Sequence, residues 1–369
     1  MKTQYLQALD SFRGIAAVSV VIYHLSIVGA ISEWDFFRHS ALFVPFFFVL
    51  SGFVIAYVYD KAIFNFKHFM IARSFRILPL YYVMLLAFLA LECLKYVLYY
   101  KLGIFNNAPF SKQNGIDQIL PNFLLLQSWL PWTYPLSFNY PSWSLSVEWY
   151  LYIGFGLLMF APKFVRYGTI CVLVVLMYAH FRGFLSAEGA QGIMYFCAGC
   201  LMHTIFVLCK DKNFLSPLVL TILEALTIAA GICVVVYNLN SYAIFAFCAL
   251  IITFALSSHA RANASRGGAI VSLLETKIFL FFGTLSYSIY ISHAFVIGII
   301  NVFPRFFLKY GYFETRYIDE RFYIDFHSPL FANLYLVLNL CVVVALAYVL
   351  HKYIEKPCIK MGKTLQQKS

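Results

Sequence analysis

The first apolar stretch of the chain, LDSFRGIAAVSVVIYHL, holds two residues that hydrocarbon does not favour and chemistry can use, Arg13 and His24. Eleven residues along an α-helix return to within about 20° of the same face and climb about 16 Å. One stripe then carries a guanidinium near one membrane edge and an imidazole past the midplane. A neutral imidazole can take a proton from a hydroxyl or act as a nucleophile itself. A buried histidine can also be a packing residue; the shared stripe with Arg13 favours chemistry. In PSWSLSVEWYLY, Glu148 falls about 9 Å below the outer surface by helix rise, and GTLSYSIYISH puts His293 in the outer half of its helix. His24, Glu148 and His293 are therefore expected at similar depth, with Glu148 placed to set the tautomer of His24 or stabilise its cation. The structural alternative is an interhelical polar cluster that only holds a bundle together. Near the other membrane edge, Arg73 and Arg76 in KHFMIARSFRILPLYY stand i, i+3 and present two guanidiniums to one anion. Phosphoadenosine plus pyrophosphate, as in coenzyme A, suits such a pair, as do lipid headgroups. Glu224 is also intramembrane and has no evident partner.

The elements that must position these groups are membrane helices. The 369 residues are 62% hydrophobic and 12% charged, against about 25% charged in a soluble domain. Apolar stretches near the membrane-spanning length recur along the whole chain, at approximately 11–30, 41–59, 77–98, 142–161, 167–181, 191–209, 216–237, 242–257, 278–302 and 330–351. The fold class expected is all-α: a polytopic integral membrane protein of about ten helices, with residues 1–369 forming one transmembrane domain. Residues 119–132 are apolar but too short to cross alone, and read as an interfacial or re-entrant piece. The first segment carries Arg13 and lacks a small-residue cleavage site, so it is expected to be a retained helix.

The net charge of +11 sits in short loops between apolar spans, so it sets topology and does not point to nucleic acid. With both termini cytoplasmic, the inner segments hold 17 Lys and Arg and the outer ones 9, as the positive-inside rule requires. Nearly all of the nine cysteines lie in apolar segments. Cys197-x-x-Cys200 reads as helix packing, and no metal is expected. Two outer loops, 99–141 and 303–329, are rich in aromatics. They read as interfacial caps or as a platform for a sugar, whose C–H faces stack on aromatic rings.

Taken together, the blocks resemble the acyltransferase family three. Arg13-x10-His24, FFFVLSGFVIAY, Arg73-x-x-Arg76 followed by ILPLYY, WSLSVEWYLY, GTLSYSIYISH and the closing YIEKP are similar to its signatures and stand in its order, over residues 9–357. The resemblance implies an acyl donor, usually acetyl-coenzyme A, on the cytoplasmic side. It also implies a lipid-linked or exported carbohydrate acceptor at the outer face of a bacterial inner membrane. It makes Arg13, His24, Arg73 and Arg76 functional positions, beside which Glu148 and His293 join the catalytic set on the residue reading. Some members continue into an SGNH hydrolase-like domain; without one fused, the membrane domain is expected to acylate the sugar directly, O-antigen or a similar surface polysaccharide being the favoured acceptor. The rival reading is a non-enzymatic transporter or flippase of lipid-linked sugars. It has no need of Arg73-x-x-Arg76 in register with Arg13 and His24.

Overall fold

The computed structural model describes residues 6–60, 64–102, 108–178, 186–212, 216–264, 267–309, 311–318 and 321–368. Ten long helices carry the architecture: α1 (Gln7–His24), α2 (Phe43–Tyr59), α3 (Phe66–Leu102), α4 (Ser142–Leu158), α5 (Lys163–Tyr178), α6 (Ala187–Cys209), α7 (Pro217–Val236), α8 (Ala243–Ala264), α9 (Lys277–Ile300) and α10 (Pro329–Leu350). Seven of these, α2, α3 and α6 to α10, lie in stretches long and apolar enough to cross a membrane. The other three, α1, α4 and α5, are 16 to 18 residues long and sit where the apolar pattern places spans. The chain is a polytopic all-α membrane protein. Its small departure is an antiparallel hairpin, β1 (Glu314–Ile318) with β2 (Arg321–Asp325), inside the last long loop.

Local chemistry sets the helix ends. Ser216–Pro217 and Ser328–Pro329 open α7 and α10: each serine hydroxyl accepts a backbone N–H of the first turn, and each proline occupies a position whose N–H has no helical partner. Helix α3 begins eleven residues earlier than the apolar pattern predicts, so Arg73 and Arg76 are helical residues of the same rod as Pro79. After α10, His351–Glu355 form one π-helical turn before α11 (Lys356–Lys368). Pro357 explains the change: it has no N–H for an α-helical bond, and its ring would crowd the carbonyl of Tyr353.

Two glycines control the packing that matters for the site. A Cβ on Gly14 of α1 would lie 2.6 Å from the backbone of Phe282 and Gly283 of α9, and one on Gly283 would collide with the carbonyl of Asp10. The two backbones touch there because neither residue has a side chain. A similar approach joins α2 to α6, where Gly52 abuts the backbone of Phe196, Gly199 abuts that of Val49 and Phe53, and Cys200 donates its S–H to the Gly52 carbonyl at 3.4 Å.

Segment 119–132 does not span. It is a short helix, Ile119–Phe123, followed by turns packed on the first turns of α4. Ser146 donates to the Leu125 carbonyl (2.5 Å), Trp129 to the Ser146 carbonyl (3.2 Å), and Tyr81 of α3 to the Asn122 carbonyl (2.6 Å). The start of α4 is thereby covered by protein. Glu224 also gains its explanation: its carboxylate accepts from the Ser257 hydroxyl and from the N–H groups of Ile270 (2.9 Å) and Val271 (3.3 Å). It caps the short helix Ala269–Leu274, where an anion is favoured by the helix dipole.

Candidate active site

A cavity of about 360 Å3 opens between α1, α2, α3, α4, α9 and the π-helical turn. Three arginines face it: Arg13 from α1, and Arg73 and Arg76 from α3. Arg13 pairs with Asp10 one turn earlier at 3.4 Å. The Arg73 guanidinium is 5.8 Å from the ring centres of Tyr59 and Tyr152, while its Nε is buried with no hydrogen-bond partner among the described residues. Two carboxylates stand opposite. Glu148 accepts from Ser51 (2.6 Å) and Tyr152 (2.5 Å). Glu355 accepts from Ser288 (2.8 Å), contacts His351 Nδ1 at 2.9 Å, and is an electrostatic neighbour of Arg76. The π-helical turn lets both His351 and Glu355 line this wall. The chamber suits a polyanion: the guanidiniums supply charge and forked donors, tyrosine rings flank Arg73, and Asp10 pairs with Arg13.

A second group lies beyond it. His24 is the last residue of α1, and its ring stacks on that of His293 with centres 5.1 Å apart. The glycine crossing accounts for this pairing. His24 follows Gly14 by ten residues, and His293 follows Gly283 by ten. The helices therefore run parallel from the crossing and deliver the two imidazoles to one level, about 15 Å further on. His293 is fully buried, with Nδ1 2.6 Å from the Tyr290 carbonyl and Nε2 unpartnered among the described residues. Tyr140 completes the group, its ring centre 4.5 Å from that of His24. Asn139 ties this loop to α9 by donating to the Ile291 carbonyl at 3.0 Å. Burial pushes the Tyr140 phenol up, so it stays protonated and can donate. Arg321 of β2 lies alongside, its guanidinium 4.0 Å from the ring centre of Tyr23.

Tyr290 joins the two groups. It lines the chamber, shares a 2.9 Å hydrogen bond with Ser144, packs edge-on to Phe47 at 5.6 Å, and offers its carbonyl to His293.

The six residues singled out in the sequence thus divide. Arg13, Arg73, Arg76 and Glu148 share the chamber; His24 and His293 share the second group. The expectation that Glu148 lies level with the histidines and orients His24 is corrected. Its depth was counted from the start of α4 as though that start lay at the membrane surface, whereas 119–141 folds over it. The aromatic neighbours of His24 are Tyr23, Tyr140 and His293. Sequence reasoning missed Tyr140, Arg321, His351 and Glu355. Only Glu355 carried a signal, as a carboxylate within YIEKP. Among the described residues no group of His, Cys, Asp and Glu could hold a metal ion.

A family model described as an acyltransferase domain matches residues 6–351. The chain is 31% identical over 153 residues to ORF330 of Acidianus two-tailed virus, which bears an acetyltransferase name, and 33% identical over 154 residues to the acyltransferase MdmB of Streptomyces mycarofaciens. These matches cover 42% and 41% of this chain, and 41% and 33% of the relatives. The chain therefore spans less than half the length of either. No solved structure matches it.

Proposed function

The chain belongs to the membrane acyltransferase family three, and on that premise we propose that it moves an acyl group, acetyl in our reading, from cytoplasmic acyl-coenzyme A to a hydroxyl of a lipid-linked or exported carbohydrate. O-antigen or a similar surface polysaccharide is the proposed acceptor, and a bacterial inner membrane with both chain termini cytoplasmic is the proposed setting. The observation that carries the reading is the two-part site: a chamber with three arginines and, joined to it through Tyr290, a stacked histidine pair on α1 and α9.

In this reading Arg13, Arg73 and Arg76 hold the donor phosphates, and the thioester end of the donor extends toward His24. His24 takes the proton of the attacking sugar hydroxyl as the new C–O bond forms and the carbonyl π pair moves onto oxygen. The intermediate collapses with loss of the thiolate, which receives the proton from His24. Tyr140 and His293 hold the imidazole by contact on its two sides. Glu148 and Glu355 act at the donor end by fixing Tyr152, His351 and the arginines. A positioned general base contributes about 10²–10⁴-fold. The test is to incubate the purified, reconstituted protein with radiolabelled acetyl-coenzyme A and a panel of lipid-linked glycans. Label moving to a glycan supports the reading and names the acceptor. Glycan crossing the bilayer with no label transferred would replace the enzyme with a carrier.

A further inference from the structure

We propose that Arg321, on the outer hairpin, is a catalytic group of this site: its Nη1–H stabilises the oxyanion that forms as the hydroxyl attacks beside His24. The proposal rests on the reading of His24 as the base.

Three contacts fix the guanidinium. Its Nη2 donates to the Tyr23 carbonyl and to the Ser26 hydroxyl, both at 2.6 Å, and its plane lies over the Tyr23 ring. The strand that carries it is itself stitched to the end of α1: Ile324 donates to the Ser26 carbonyl (3.1 Å), and Val28 donates to the Ile324 carbonyl (2.9 Å). The carbonyls of the last helical turn lack intrahelical partners, so the arginine answers one of them on the residue next to His24. Two of the three rings against His24 sense it. Tyr23 is stacked under it, and the Tyr140 phenol lies within reach of its charge.

A cap for Tyr23 needs one nitrogen of the fork. The other, Nη1, is buried and has no hydrogen-bond partner among the described residues. Buried donors of charged groups are rarely left unpaired, and a cation held rigidly by one edge with its other edge free is what acyl-transfer sites use against developing negative charge. The charge balance of the reaction calls for such a donor here. When the hydroxyl oxygen bonds to the thioester carbon and its proton passes to His24, one negative charge appears on the former carbonyl oxygen, beside a new imidazolium. Arg13, Arg73 and Arg76 line the chamber on the other side of Tyr290. Arg321 is a guanidinium on the histidine side, bonded to the residue next to His24.

The test uses the full chain in proteoliposomes, with Arg321→Ala, Arg321→Lys and His24→Ala compared. Three quantities are read: affinity for radiolabelled coenzyme A, the rate of label transfer to the glycan that accepts it, and release of labelled acetate with water as acceptor. Arg321→Ala is expected to lose roughly 10²–10³-fold in rate, the usual loss for one oxyanion donor, while donor affinity stays within about twofold. Arg321→Lys should keep part of that rate, and added methylguanidinium should raise turnover of Arg321→Ala at least about tenfold without helping His24→Ala. Arg321→Ala turning over at near-parental rate would overturn the proposal. So would a rate loss that methylguanidinium leaves unrestored, because the arginine would then be only a brace for α1. If His24→Ala itself retains the parental rate, the general-base reading fails first and visibly.

Discussion

Replacing Gly14 by alanine tests the reasoning at its narrowest point. The added methyl would sit 2.6 Å from the Gly283 nitrogen and the Phe282 carbonyl carbon, where van der Waals contact needs about 3.5 Å. Both neighbours are backbone, so no side chain can swing away, and α1 and α9 must separate by about 1 Å. Overpacking of this kind costs about 1–3 kcal/mol. The functional loss should be larger, since a 1 Å misplacement of reacting groups can cost about 10²-fold, and the imidazole stack at 5.1 Å lies on the same two rods. The assay pairs thermal unfolding in detergent with single-turnover acyl transfer. Gly298→Ala serves as control, since the same methyl meets nothing within 4 Å there and α9 should be unharmed. Gly14→Ala with parental melting temperature and turnover within about threefold would refute the claim that this crossing positions the histidines.

His24→Ala should lower transfer by about 10²–10⁴-fold while coenzyme A still binds, measured by turnover and by donor binding on one preparation; His24→Gln, which cannot accept a proton at neutral pH, should fail nearly as badly. Arg73→Lys and Arg76→Lys keep the charge but lose the fork, so donor affinity should fall with membrane insertion normal; parental binding in both would reduce the pair to a topology signal. Glu224→Ala leaves the first N–H groups of the Ala269–Leu274 helix unanswered and should destabilise by about 1–3 kcal/mol, read as a lower melting temperature with donor binding unchanged. Cysteine probes at 108–115 and 312–317 should react with an impermeant reagent from outside and probes at 358–366 should not; a reactive tail would reverse the assigned sides.

Much of the arginine chamber was legible in the sequence, and the reason is physical. Arg13, Arg73 and Arg76 stand out because charge is rare in apolar stretches, and their spacing on ideal helices is close to their real geometry. Helix rise fails where its origin is wrong. Glu148 was measured from a surface that 119–141 covers, and no periodicity reports a chain folding back over a helix start. Arg321 was one charge among many in a mixed loop, and only strand pairing with Ser26 and Val28 brings it to the helix end. The partner of Glu224 is a helix of six residues, too short to leave a pattern. The ten-residue arms, Gly14 to His24 and Gly283 to His293, stand in the sequence, but a spacing within one helix has no meaning until the two glycines are known to touch.

The distance between the arginine chamber and the histidine pair has an energetic consequence for the proposed reaction. The nucleotide keeps its charges at the cytoplasmic end, so the membrane voltage does no work on it, and the acetyl group that crosses is neutral. The proton does not break that neutrality. It leaves a hydroxyl on the outer face, rides on His24, and departs inward bonded to sulfur, cancelling the charge the acyl group left on the thiolate. A charge crossing the whole field would be worth about 2.3 kcal/mol per 100 mV, but a neutral thioester arm entering and a neutral thiol arm leaving carry none, so turnover neither draws on the membrane voltage nor works against it.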